Sequence, residues 1–179
     1  MGVLIEGENV VIRNATVEQR HPGGMQEYER RCPNGTFCTD GQICRVGFMA
    51  TADAISYIDG LESLGFTRPT SEGSPEVALI TQGSGFVMPC DWLELNQVDL
   101  GGEAPTAVAW VRGTELSQLV APPGWKPGSI QPISLQRLKD EYDVIEVRDG
   151  VETYRHRETG EMRYLGRPKL KPGKRWWHL

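Results

Sequence analysis

The dipeptide Asp40-Gly41 constrains this chain more than any other local feature, because both of its residues reach positive φ and it sits between two apolar runs. Thr36 to Thr39 and Gln42 to Ala50 therefore read as the arms of a tight hairpin, with Phe37 opposite Cys44. Side chains alternate along strands, so Phe37, Cys44, Val46 and Phe48 fall on one face and Cys38 on the other.

The neighbouring segments carry equally local signals. Val10 to Ile12 is a short apolar strand after a turn at Gly7 to Asn9. Met25, Tyr28 and Cys32 share one face of a helix that Pro33 and Gly35 stop. Thr51 reads as the N-cap of a second helix, with Ile55, Ile58, Leu61 and Leu64 at helical spacing. At its end Gly65 takes the left-handed conformation and lets Phe66 fold back on the last turn. Val77 to Ile80 is a buried strand. The order β-α-β-β-α-β predicts an α+β fold with a ferredoxin-like core, helices on one sheet face, spanning residues 1–82.

Residues 83–148 are expected to add strands Phe86 to Val98 and Thr106 to Arg112, joined through Gly101-Gly102. A Pro- and Gly-rich loop, Ala121 to Pro132, surrounds Trp125, and Ser134 caps a short helix that turns Leu135, Leu138 and Tyr142 inward. A β-meander follows: Val144 to Arg148, Val151 to Arg157 and Glu161 to Leu165, bent at Asp149-Gly150 and Thr159-Gly160. Residues 149–179 form a basic hairpin and tail. One domain is expected for 179 residues.

Composition narrows the class. A hydrophobic fraction of 39%, a charged fraction of 24% and a mean hydropathy of -0.40 are ordinary for a globular chain. No segment approaches the roughly 18 apolar residues of a spanning helix. Met1 to Asn9 carries Glu6 and Glu8 without a basic start, unlike an export signal, so a cytoplasmic protein with reduced Cys32, Cys38, Cys44 and Cys90 is expected. The net charge is -5, yet residues 151–179 hold eight Lys or Arg against three Glu. That asymmetry favours a tail that folds back on an acidic body or meets an external polyanion.

The run PGGMQEYERRCPNGTFCTDGQICRVGFM, with the later VMPCDWLEL, resembles small bacterial proteins to which no activity is attached. The resemblance covers about the first half of the chain, implies a bacterial origin and carries over no functional residue. Tyr154 to Pro168 resembles two strands of a WW module, but Pro122 to Trp125 stands too far upstream to complete it.

Three sites are legible. Alternation through Cys90, Trp92 and Glu94 places a thiol, an indole and a carboxylate on one face, a set suited to a small ligand, with Leu93 and Leu95 on the other. For catalysis Cys90 and Glu94 would need a base, and His21 is the one histidine outside the C-terminal segment. The C-terminal set Tyr154, Arg155, Arg157, Tyr164, Trp176 and Trp177 suits a partner surface. Gly83-Ser84-Gly85 lacks the Lys of a phosphate loop and reads as a tight β connection. Cys38 and Cys44 face opposite ways, which argues against a shared metal.

No cofactor, metal or membrane partner is implied. The leading expectation is a non-catalytic, protein-binding or inhibitory protein of the immunity kind, using an open sheet face or the meander, with a homodimer as one form of partner. The rivals are a small enzyme or ligand-binding protein at Cys90, Trp92 and Glu94, and a nucleic-acid-associated protein using the basic aromatic tail.

Overall fold

The structure, a computed structural model, describes residues 1–68, 74–88, 90–100, 105–122, 125, 140–148, 151–160 and 162–166. It is a mixed α+β protein whose chain divides into two compact units, Met1–Gln131 and Pro132–Leu179.

In the first unit, strand β1 (Gly2–Ile5) precedes β2 (Glu8–Arg13), and the chain turns between them at Gly7, whose φ is +65°. Helices α1 (Asn14–Arg20) and α2 (Gly24–Arg31) and a 3-10 turn at Pro33–Gly35 lead to β3 (Cys38–Thr39) and β4 (Ile43–Phe48). Helix α3 (Thr51–Ser63) is followed by β5 (Val77–Thr81) and β6 (Gly85–Phe86). Strands β7 (Leu93–Val98), β8 (Thr106–Val111) and β9 (Leu119–Val120) complete the unit.

These strands form two sheets. One has the order β3-β4-β2-β5-β6 with every pairing antiparallel, and the other has the order β7-β8-β1-β9, in which β1 and β9 run parallel. Val10, Val11 and Ile12 are all buried, as are Val77 to Ile80, so the central sheet is covered on both faces. On the face of Val10, Ile12, Cys44 and Phe48 lie the helices, with the Phe48 and Tyr57 rings 5.1 Å apart. On the other face Val11, Ile43, Ala78 and Ile80 pack against Val3, Ile5, Leu93, Ala107 and Ala109 of the second sheet. The expected open sheet face is therefore buried against β1 and β8, because both parities of the central strands are apolar.

Several local expectations shift. The hairpin bend falls one residue late: Asp40 donates its N–H to the Ile43 carbonyl at 3.1 Å, which leaves Gly41 and Gln42 as the turn. Asp40 Oδ1 fixes that turn by accepting the N–H groups of Gln42 and Ile43 at 2.8 and 2.9 Å. Thr39 thus pairs with Cys44 and Cys38 with Arg45, and Phe37 does not oppose Cys44. The strands slip by two residues, an even number, so each side chain keeps its face.

Helix α1 and strand β1 were not expected, and β2 starts at Glu8, inside the anticipated turn. Ala50, not Thr51, is the N-cap of α3, and no side chain caps it. Its buried stripe is Ala54, Tyr57, Ile58 and Leu61, while Ile55 is exposed. The helix end follows expectation: Phe66 N–H donates to Leu61 O at 3.2 Å and Gly65 N–H to Glu62 O at 2.9 Å, with Phe66 buried. The single strand expected over Phe86 to Val98 is broken, since β6 pairs with β5 and β7 with β8 in the other sheet. Pro89, which has no N–H for a ladder, falls within that interval of the sequence.

The second unit holds a three-stranded antiparallel meander, β10 (Tyr142–Arg148), β11 (Val151–His156) and β12 (Met162–Gly166), with a register shift between Val144 and Glu146. Tyr142 opens β10 and does not continue a helix. Of the segment expected to be a helix from Ser134, Asp140 and Glu141 are described and helical, whereas residues 134–139 and the tail beyond Gly166 lie outside the described residues. Among the described residues no helix is long and apolar enough to cross a membrane.

Candidate functional site

The corner between the two sheets positions a cluster of polar side chains where the surroundings are apolar. At Gly7 the chain leaves β1 for β2, and a Cβ there would stand 3.0 Å from the Phe48 carbonyl. The corner places Glu6 and Asn9 side by side, with Asn9 Nδ2 donating to the Glu6 carbonyl at 2.8 Å and the Gly7 carbonyl at 3.3 Å. With Nδ2 so held, Oδ1 is turned to accept Arg45 Nη1 at 3.0 Å. Asn9 and Arg45 are both buried, Arg45 to 2% exposure.

Arg45 stands on the inter-sheet face of β4 because it shares the parity of Ile43, and it pairs with Val11 on β2 and Cys38 on β3. Its Nε and Nη2 meet no oxygen or nitrogen acceptor among the described residues. Glu6, 7% exposed, accepts the Trp125 indole N–H through Oε1 at 2.6 Å, while Oε2 is buried without a partner among the described residues. Burial pushes the Glu6 carboxyl up from its ordinary value, against the lowering effects of the Trp125 hydrogen bond and the Arg45 charge. Burial likewise raises the Cys38 thiol, which the adjacent Arg45 opposes.

The residues singled out from the sequence lie elsewhere. Trp92 is buried in the same inter-sheet core as Leu93, and Cys90 packs against that core, so the expected division of faces between Cys90, Trp92 and Leu93 is absent. The reason is the broken strand, since Trp92 precedes β7 and strand alternation does not reach it. The Trp92 indole donates to the Pro75 carbonyl, and the Arg13 guanidinium stacks 4.8 Å from its ring centroid. Glu94 is half-buried on β7 opposite Trp110. Burial raises the Cys90 thiol, which disfavours the thiolate a nucleophile needs.

His21 is buried between α1 and α2, edge-on to Tyr28 at 5.4 Å. Tyr28 lies against the Cys44 side of the central sheet, whereas Cys90 packs with Cys38 on the other side. The sheet thus stands between His21 and Cys90, and the structure does not bring them together. Burial, then the Arg31 charge, lowers the His21 pKa. Also on the helix side, Cys32 Sγ lies 3.8 Å from Tyr57 Oη and its thiol is pushed up to about 12 by burial.

In the second unit Tyr154 is buried, Arg155 is exposed, and Arg157 reaches Asp143 Oδ1 at 3.0 Å and the Asp140 carbonyl at 2.7 Å. Tyr164 lies on β12, of which the backbone alone is described, and Trp176 and Trp177 lie outside the described residues. Among the described residues no three His, Cys, Asp or Glu side chains group as metal ligands.

Sequence reasoning passed over Glu6, Asn9, Arg45 and Trp125. A signal was present: Arg45 interrupts the apolar run Ile43 to Phe48 at a core parity, with Gly47 next on the same face. No family model, curated protein or solved structure matches the chain.

Proposed function

We propose that this is a non-catalytic recognition protein that binds another protein through the β10 side of its C-terminal meander. One observation carries the reading: Val144 and Ile145, adjacent branched apolar residues at the register shift of β10, are 53% and 46% exposed. A bulge turns neighbouring side chains out of strict alternation, so both present themselves outward. Asp143, Arg155 and Arg157 supply a charged rim around this apolar pair, the usual composition of a recognition patch.

Charge favours an acidic partner. Residues 132–179 contain 11 Lys or Arg and eight Asp or Glu, against eight and 16 in residues 1–131. A partner enzyme blocked by this patch would make the protein inhibitory, in the immunity manner. The ferredoxin-like reading of the core is part of the same proposal and is supported by the all-antiparallel order β3-β4-β2-β5 with β2 and β4 central.

The test compares the full chain with a Val144→Glu, Ile145→Glu variant as affinity baits in a native bacterial lysate, and both in sedimentation. A partner recovered by the first and lost with the second, at unchanged folding, supports the patch. Equal recovery, or none with either bait, overturns it, and concentration-dependent mass lost in the variant identifies a second copy as the partner. The nucleic-acid rival instead requires binding that weakens steeply with salt and disappears on truncation after Gly166.

A further inference from the structure

We propose that the side-on edge of Arg45 is a binding site for a small oxyanion, a carboxylate or phosphate whose two oxygens accept Nε–H and Nη2–H together. This site is independent of the recognition surface on β10. Its basis is which guanidinium atoms are engaged. Nη1 is tied to Asn9 Oδ1 at 3.0 Å, and Nε and Nη2, the pair that forms the fork matching a carboxylate or phosphate edge, meet no oxygen or nitrogen acceptor among the described residues.

The fork is a built feature and not a stray side chain. Asn9 is oriented by two backbone carbonyls so that its oxygen faces Nη1. Gly47 leaves the space the guanidinium occupies, since a Cβ there would stand 2.8 Å from Nη1. Arg45 is 2% exposed, and a permanently charged group with two donors that face no oxygen or nitrogen acceptor among the described residues is strongly disfavoured in such surroundings. The Cys38 thiol, which lies within hydrogen-bond reach of the guanidinium, is kept protonated by burial, so it is a weak acceptor and supplies no counter-charge. Glu6 is held to Trp125 through Oε1, and among the described residues no carboxylate forms an ion pair with Arg45.

An oxyanion answers both demands, supplying charge and a pair of acceptors at the spacing of the fork. Burial limits it to a small molecule or the terminal group of a larger one. The Trp125 indole, hydrogen-bonded to Glu6 beside the site, serves as a local reporter.

The experiment titrates the full chain with acetate in one arm and inorganic phosphate in the other, at ionic strength held constant with chloride, following arginine Nε–H signals by NMR and Trp125 fluorescence against a Trp125→Phe control. The Arg45 signal is the one missing from Arg45→Lys, which keeps the charge and loses the fork. A saturable shift of that signal in either arm, with affinity at least about tenfold weaker in Arg45→Lys, is expected. The responding arm identifies the oxyanion. A signal unmoved in both arms, or moved equally by chloride, assigns the donors to solvent and overturns the site. If Arg45→Lys fails to fold, the thermal shift of the unaltered chain and of Asn9→Ala decides, with saturable stabilisation weakened in the variant as the expected result and equal responses as the contrary one.

Discussion

Gly47 and Arg45 share one space: the hydrogen of the glycine faces Arg45 Nη1, and a methyl group there would stand 2.8 Å from it and 3.4 Å from Thr36. Gly47→Ala must displace a guanidinium that is hydrogen-bonded and buried, which costs about 1–3 kcal/mol of folding stability by urea denaturation. In an Arg45→Met background the same substitution has nothing charged to displace and costs less, a difference that a double-mutant cycle measures.

Glu6 links that neighbourhood to pH. Its folded pKa is raised by burial, so the native state holds its proton more tightly than the unfolded chain does. The Glu6 contribution to stability is therefore fully present below the ordinary value of 4.5 and is lost as pH rises through the raised one. Glu6→Gln removes this slope, as denaturation midpoints across pH 4 to 8 should show.

His21 contributes the opposite slope. Its pKa is lowered, chiefly by burial, so the unfolded chain takes up a proton more readily. Its contribution is present above 6.5 and is lost as pH falls from 6.5 through the lowered folded value. In His21→Gln that decline disappears while the Glu6 slope persists, which separates the two groups in the same titration.

Gly65 tests the helix end. Its φ is +89° and nothing lies within 4 Å of where an alanine methyl group would stand, so Gly65→Ala is opposed by backbone conformation alone. The expected loss is about 1 kcal/mol, read from thermal denaturation, with no change in the spectrum of the native state.

Thiol chemistry reports on the core. Burial raises the pKa of all four cysteines, Cys32 to about 12, so alkylation at pH 7 is slow for each of them in the native protein. Mass spectrometry should find four modified thiols after denaturation and fewer than one equivalent before it. Rapid native labelling of Cys90 would reinstate it as a nucleophile.

The hairpin, the α3 end and the meander were legible because each depends on residues within a few positions of one another. Phe66 folds back on Leu61 because Gly65 tolerates a left-handed φ, and that information is wholly local. The hairpin register was missed by two residues because the Asp40 carboxylate, accepting two N–H groups, outweighed the turn preference of the dipeptide. Strand β1 went unread because four apolar residues, Gly2 to Ile5, carry no periodicity of their own and gain meaning only between β8 and β9.

Residue order by itself determined the types of β2, β4, β5, α2, α3 and the meander strands, the bend after Asp40 to within a residue and the face on which each hairpin side chain falls, since all of these follow from φ/ψ preference and alternation. Only the packing of one sheet on another decided that Trp92 joins Leu93 in a core, that Cys90 and His21 stand on opposite sides, and that Arg45 is buried near Glu6. Those outcomes depend on segments far apart in the chain, such as Glu6 and Trp125, whose meeting no short-range preference encodes.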